Sequence, residues 1–175
     1  MSATTKKTLQ YLVMFIIVVF VYRFIGEITL ERGNTRSFTT DLDSAIPFVP
    51  QMAIFYLSLY VGFWVPPIIV KEISPAYFFK IVLATLICFY FCSIVYLIIP
   101  STYNNREIIT NGGFFAETLV RDVIYKYDLP NNTLPSTHAA LPTILLLATA
   151  RQFNLWIFLI YLVWGIAIIS STLLI

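Results

Sequence analysis

Charged residues are scarce in this sequence. Asp, Glu, Lys and Arg make up 11% of its 175 residues, whereas a soluble globular domain contains roughly 25%. Hydrophobic residues account for 59%, and the mean hydropathy is +0.83. This composition excludes a soluble globular protein and predicts one helical membrane bundle without a second domain. The net charge of +2 comes without a basic stripe, so no nucleic-acid partner is expected.

Cysteine and histidine are also rare, which limits the possible chemistry. Cys88 and Cys92 are four residues apart in an apolar segment and therefore share one helix face. Because no further thiol or nearby histidine accompanies them, they predict packing rather than a metal or redox site. His138 is the single histidine of the sequence, so an imidazole can act at one place.

Five apolar segments have lengths that predict transmembrane helices. The first follows a polar N-terminal tail (residues 1–9) and has no small-residue cleavage site, so we predict a retained span rather than a signal peptide. Pro66 and Pro67 are predicted to kink or end the second span. The predicted fold is an all-α membrane bundle of five spans, at residues 10–28, 47–70, 75–99, 136–150 and 154–175.

The positive charges alone do not orient these spans. If the N-terminus is cytoplasmic, five basic residues lie inside and six outside, but Lys6 and Lys7 on the short N-terminal tail favour this orientation. The two long polar loops, the start of the fourth span and the end of the fifth then share the non-cytoplasmic face. We therefore expect His138, Arg106 and residues 170–172 to converge there.

Residues 134–141, with the sequence Leu-Pro-Ser-Thr-His-Ala-Ala-Leu, open an apolar helix with polar side chains in its first turn. Proline suits the first helical position, and a serine or threonine caps the backbone N–H groups that follow. Those N–H groups and the helix dipole favour an anion, and a histidine beside them can donate or accept a proton. The pattern indicates phosphate chemistry.

Residues 131–138 have the sequence Asn-Asn-Thr-Leu-Pro-Ser-Thr-His. This stretch resembles the Pro-Ser-x-His motif of the type 2 phosphatidic acid phosphatase superfamily. The sequence is most similar to the inositol phosphorylceramide synthase-like branch, in which an Ile-Pro-Phe-x-Pro stretch (here residues 46–50) precedes the second span. In that branch Tyr-x-x-Asp-x-Pro-x-Asn (here residues 125–132) leads into the histidine motif. The resemblance covers roughly residues 40–175 and implies most of a six-helix core.

The resemblance implies a phosphohistidine mechanism that uses neither metal nor cofactor. His138 matches the general acid, and Ser136 matches the phosphate-binding serine, with Thr137 beside it. Arg106 is the best match for the arginine of the first motif. However, Ile99 and Glu107 stand where the fuller motif has lysine and proline, so Arg121 or Lys126 can take its place. Ser171 resembles the serine that begins the third motif.

The nucleophilic histidine that the family places seven residues after this serine is not in the sequence. We therefore expect a fragment or truncated product, a degenerate enzyme, or a chain completed by a partner. The predicted function is a membrane-embedded lipid phosphatase or phosphotransferase that acts on a lipid phosphate or diphosphate at the membrane interface. The alternative is a non-catalytic membrane pseudoenzyme or assembly subunit. Membrane lipids are the other expected partner, and the oligomeric state stays open.

Several other residues have simpler interpretations. Tyrosines in the apolar segments favour packing or a position in the interfacial aromatic belt over substrate contact. Asp43 is predicted to be a cap or loop residue. Residues 131–133 fit a glycosylation sequon, but their place beside the proposed site argues against its use. The tyrosines to which the packing or interfacial interpretation applies are Tyr56, Tyr60, Tyr90 and Tyr96.

Overall fold

The computed structural model describes residues 1–103, 106 and 108–175, and the fold over these residues is all-α. The α-helices are Ala3–Glu31 (α1), Asp41–Ala45 (α2), Ala53–Ser58 (α3), Val65–Ile69 (α4), Pro75–Ile98 (α5), Tyr125–Tyr127 (α6), Thr137–Thr149 (α7) and Leu155–Leu174 (α8). Short 3₁₀ helices cover Pro50–Met52 and Gly62–Trp64, and a π-helix covers Phe114–Ile124. Two-residue strands, Arg36–Ser37 (β1) and Ser101–Thr102 (β2), pair in parallel.

The longest helices begin at side chains that cap their first turn. In each case the side-chain oxygen of the residue before the helix accepts a hydrogen bond from the backbone N–H three positions later, with N···O distances of 3.0–3.3 Å. Such a bond satisfies one of the N–H groups that have no partner within the helix. The capping residues are Ser2 for α1, Ser74 for α5, Ser136 for α7 and Asn154 for α8.

Within the described residues, four helical segments are long and apolar enough to cross a membrane: Ala3–Glu31, Pro50–Ile69, Pro75–Ile98 and Leu155–Leu174. They agree with the predicted helical membrane class. The fourth predicted span, at residues 136–150, forms α7, which has 13 residues and is therefore only about 20 Å long, shorter than the ~30 Å core of a bilayer. The first segment also differs from expectation, because the residues predicted as a polar tail form the first two turns of α1.

The second segment, Pro50–Ile69, is not one continuous helix. It passes from a 3₁₀ turn into α3, then through a second 3₁₀ turn, Gly62–Trp64, into α4. Pro66 and Pro67 occupy the first positions of α4, where a missing backbone N–H costs nothing. The irregularity thus precedes the two prolines, which begin the last helix of the segment.

The polar loops and the ends of several helices meet at one end of the bundle. The N–H of Arg36 donates to Pro100 O at 2.8 Å, and the N–H of Val49 donates to Leu174 O at 2.6 Å. The N–H of Asn132 likewise donates to Ser101 O at 2.9 Å. These bonds join the two long loops to each other and the first of them to the end of α8, whereas the convergence of His138, Arg106 and residues 170–172 on one membrane face stays a prediction.

Aromatic residues dominate the contact between α8 and the second segment. The rings of Phe63 and Tyr161 stack with centroids 4.1 Å apart, and the Tyr161 hydroxyl donates to Phe63 O at 2.7 Å. Gly165 permits this approach, because a Cβ there would lie 3.2 Å from Phe63 Cζ, and it also lets α7 come close, because the same Cβ would lie 2.7 Å from Leu146 Cδ1. In another cluster Cys92 is buried between α1 and α5, with Cys88 packed beside it, as the packing interpretation predicts.

The long loop before α7 contains a π-helix that the sequence did not predict. Its residues Ala116, Val120 and Ile124 are buried, whereas its charged residues face outward. The N–H groups of Gly112 and Gly113 both donate to Glu117 Oε1 at 3.0 Å, which fixes its start. The charged residues led to a polar-loop prediction, but one apolar face is enough for the helix to pack against α3.

Candidate functional site

His138, the second residue of α7, lies between two tyrosines of the second segment. Its Nε2 is 2.6 Å from the Tyr60 hydroxyl. The Tyr56 ring stacks on the imidazole, with centroids 4.3 Å apart and planes 25° apart. The Tyr60 ring meets the imidazole edge-on at 86°. Because one tyrosine fixes the ring plane and the other holds a ring nitrogen, the imidazole has a defined orientation.

Asp128 provides the negative charge of this site. Its carboxylate accepts hydrogen bonds from the hydroxyl of Tyr56 and from that of Tyr22, the latter at 2.9 Å. The tyrosine that stacks on His138 therefore also holds the carboxylate. Such a network joins a carboxylate, three phenols and an imidazole from four separate parts of the chain.

These side chains line a cavity of about 790 Å³, a volume within the ~300–1,000 Å³ typical of small-molecule sites. Its walls come from α1, α3, α7, and the end of the π-helix with the residues that follow it. Most of the lining side chains are aliphatic or aromatic, and the polar groups include His138, Asp128 and Thr137. Two cations, Arg23 and Lys126, also border the cavity, and both are exposed.

Arg106 has a different place from the one predicted. Its guanidinium donates to the backbone carbonyls of Asp128 at 2.7 Å and Leu129 at 3.3 Å, and it lies over the Tyr125 ring at 4.7 Å. Among the described residues, those that line the cavity do not include Arg106. Its observed contacts hold the loop that presents Asp128.

The predicted phosphate ligands Ser136, Thr137 and Ser171 lie in three different settings. Ser136 caps α7 by accepting the Ala139 N–H at 3.3 Å, and Thr137 is buried and lines the cavity. Ser171 is fully buried, and its hydroxyl donates to Ile168 O within α8 at 2.6 Å. The structure thus brings His138 together with Thr137 and places Ser171 inside a helix–helix contact.

Arg121 lies on the exposed face of the π-helix. Its guanidinium bonds to the Asp122 carboxylate at 2.7 Å and pairs with Glu117 at 4.0 Å. The hydrogen bond from Arg121 lowers the pKa of Asp122 below its ordinary value. These contacts keep Arg121 among surface charges, apart from the described lining of the cavity.

The sequon at residues 131–133 is part of the fold. Asn131 is buried, and its Nδ2 donates to Gly26 O at 2.6 Å and to Thr29 Oγ1 at 2.7 Å. A glycan on this nitrogen would leave it one N–H, so at least one of these bonds would be lost, and the buried side chain has no room for a sugar. The structure therefore gives Asn131 a structural role in joining the loop to α1.

Sequence reasoning did not identify Tyr22, Arg23 or Asp128 as site residues, and it interpreted Tyr56 and Tyr60 as packing aromatics. A usable signal was present, since polar groups inside apolar spans often mark functional sites. Tyr22 and Arg23 are adjacent polar residues in the first span, and Tyr56 and Tyr60 share a face four residues apart. Their meeting with Asp128 depends on tertiary packing between distant segments.

Comparison of the chain with protein-family models, with curated proteins and with solved structures finds no match. Over the described part of the chain, no group of three His, Cys, Asp or Glu side chains is arranged to hold a metal ion. The described site combines an oriented imidazole, a tyrosine-bound carboxylate and two cations around a largely apolar cavity.

Proposed function

We propose that the chain spans a membrane five times, with α7 as its shortest crossing, and that the cavity binds a lipid phosphate at the membrane interface. In this proposal the protein is a lipid phosphatase or phosphotransferase. The observation that carries it is the position of His138, which lines an apolar cavity of about 790 Å³ bordered by Arg23 and Lys126. An amphiphile with an anionic headgroup matches these walls and charges.

The arrangement suits protonation of a leaving oxygen. Phosphoryl transfer depends mainly on positioning and on stabilising negative charge, and an alkoxide leaves more easily when an acid protonates it. The start of α7 attracts the phosphoryl oxygens through its dipole, and the Thr137 hydroxyl lies beside it. The hydroxyl of water or of a lipid alcohol forms the new P–O bond as the old one breaks, and His138 transfers its ring proton to the departing oxygen and takes up a proton again as the acceptor hydroxyl loses its own. The sequence contains one imidazole, so protonation is the step assigned to it.

A His138→Asn variant tests this assignment. Asparagine keeps a polar group near Tyr60 but cannot transfer a proton at neutral pH. With phosphatidic acid as the probe and the protein in lipid nanodiscs, we expect phosphate release to fall by about 100-fold or more, while binding of the probe is retained. Arg151→Gln removes an exposed charge from the loop between α7 and α8 and should change neither quantity. Normal phosphate release by His138→Asn would reject the assignment.

A second function, non-catalytic lipid binding by a membrane subunit, is favoured by one observation. The single imidazole of the sequence is hydrogen-bonded through Nε2 to Tyr60, so it already has a structural partner. This function predicts that the unmodified protein binds phosphatidic acid without releasing phosphate. Binding with release supports the enzyme, binding alone supports the subunit, and the lack of both rejects the lipid site.

A further inference from the structure

One face of α1 forms a wall of the cavity. The residues that line it, Phe15, Val18, Val19, Tyr22 and Arg23, have the spacing of a single helical stripe. Eight residues separate the first from the last, so the stripe is about 12 Å long at 1.5 Å per residue. Its side chains change from apolar to cationic along this length. The family resemblance covers roughly residues 40–175 and therefore assigns no role to this helix.

Arg23, at the cationic end of the stripe, has donors available for an anion. Its Nε donates to Glu27 Oε1 at 2.7 Å, and both side chains are about half exposed. A guanidinium carries four further N–H donors on its two terminal nitrogens, in a geometry suited to phosphate. An exposed ion pair of this type contributes little to stability, so a phosphate can replace Glu27 at small cost.

Lys126 supplies a second cation from another wall of the cavity. It belongs to α6, which follows the π-helix, and its Nζ lies 5.6 Å from the centre of the Tyr127 ring. Arg23 and Lys126 thus come from different elements and border the same cavity as His138. Neither belongs to α7, so the cavity is bordered by two cations in addition to the anion-attracting start of that helix.

We propose that Arg23 and Lys126 form a second anion subsite at the edge of the cavity. It binds an anionic group of the lipid headgroup other than the one beside His138, while Phe15, Val18 and Val19 contact the hydrocarbon chain. This subsite rests on the proposed function in one respect: the lipid phosphate that binds beside His138 must belong to the same molecule that reaches Arg23 and Lys126. It makes α1 the element that selects the headgroup.

The test compares two lipids with the same acyl chains, diacylglycerol diphosphate and phosphatidic acid. Their affinities are measured by native mass spectrometry of the protein in phosphatidylcholine nanodiscs. Because a hydrogen bond to a charged group contributes on the order of a tenfold change in affinity, we expect about tenfold tighter binding of the diphosphate. Arg23→Gln and Lys126→Gln should each reduce this preference, and the double variant should remove it.

Two further variants separate charge from a general disturbance. Arg23→Lys should keep much of the preference, because it keeps the positive charge. Glu27→Gln should strengthen diphosphate binding, because it removes the competing carboxylate. Arg151→Gln, which removes a cation from the loop between α7 and α8, serves as the matched control and should leave the preference unchanged. An equal affinity for both lipids in the unmodified protein, or a preference that survives in the double variant, would overturn the subsite.

The result is independent of catalysis. Binding is the measured quantity, and His138→Asn should retain the diphosphate preference. If this variant loses phosphate release while the double variant keeps the preference, the subsite is wrong and the catalytic assignment stands. If the preference depends on Arg23 and Lys126 but His138→Asn releases phosphate normally, the catalytic assignment is wrong and the subsite stands.

Discussion

Lys7 and His138 are titratable groups in two regions of an otherwise apolar bundle, and their partners differ. Lys7 is almost fully buried, and its Nζ donates to the backbone carbonyls of Pro67 at 3.0 Å and Val70 at 2.9 Å. His138 contacts tyrosine side chains and lines the cavity. A charge held by backbone carbonyls stabilises a helix end. An imidazole held by side chains beside a cavity can meet a bound ligand, and the proposed function places the proton transfer there.

The largest effect that this comparison predicts is on turnover at the His138 end. Asp128→Asn removes the negative charge that Tyr22 and Tyr56 hold beside the imidazole. Loss of hydrogen bonds to a charged group, about 1.5–3 kcal/mol, corresponds to a decrease in kcat of about 10- to 100-fold. Phosphate release from phosphatidic acid measures it, and KM should not rise, since the carboxylate repels an anionic lipid rather than attracting it.

Asp122→Asn is the matched control for this variant. Asp122 is an exposed aspartate on the π-helix, and its removal should leave kcat unchanged. If Asp128→Asn has the same kcat as the unmodified protein, the carboxylate has no part in positioning His138. Lys7 and His138 would then differ in how deeply they are buried, and not in what their partners do.

Lys7→Met should lower the stability of the protein and leave lipid binding unchanged, whereas Asp128→Asn should lower kcat. Methionine fills similar space but leaves the carbonyls of Pro67 and Val70 without their donor, so we expect a loss of about 2 kcal/mol in the free energy of unfolding. Thermal unfolding of the purified protein measures this loss. Lys6→Met removes the neighbouring exposed lysine and should have a much smaller effect. A change in lipid binding by Lys7→Met at a temperature where it is folded would contradict the structural role.

The comparison also explains how much of the fold followed from the sequence. Apolar length and capping residues are local properties, and they predicted an all-α membrane fold, which the apolar helices fit, a cap at Ser136 and a cap or loop position for Asp43. The same local properties missed the π-helix Phe114–Ile124, because its apolar face is interrupted by charges. They also missed the break at Gly62–Trp64, where packing against Trp164 and Tyr161 replaces a regular helix.

The site was less predictable than the fold, because its residues meet only through tertiary contacts. The motif located His138 and Thr137, which are neighbours in sequence. Arg106 was chosen by its match to a motif, but a guanidinium that finds backbone carbonyls and an aromatic ring is already satisfied away from the cavity. Arg23 and Asp128, which border the cavity, are separated by more than one hundred residues. No local pattern indicates that they meet.

Asp43 is a charged residue that, like Lys7, bonds to the backbone, but it lies in the first long loop. Of the variants considered, a change at Asp43 is expected to have the smallest effect. Its carboxylate accepts the Thr40 N–H at 2.6 Å and the Thr40 hydroxyl at 2.8 Å, and the backbone hydrogen bond lowers the pKa of Asp43. A carboxylate whose pKa is lower in the folded state stabilises the protein above its unfolded pKa of about 3.9. This contribution is lost as the pH falls through the folded pKa.

Asp43→Asn mimics the protonated carboxyl, so the variant should melt slightly below the unmodified protein at neutral pH, and the difference should shrink as the pH falls from about 3.9 through the folded pKa. Asp41→Asn, in the same short helix, removes the same charge without this contact to Thr40 and serves as the control. Phosphate release should be unaffected, because a charge satisfied by backbone groups stabilises a turn and takes no part in the reaction. A kinetic effect as large as that of Asp128→Asn would show that the nature of the partners does not separate structural charges from catalytic ones in this protein.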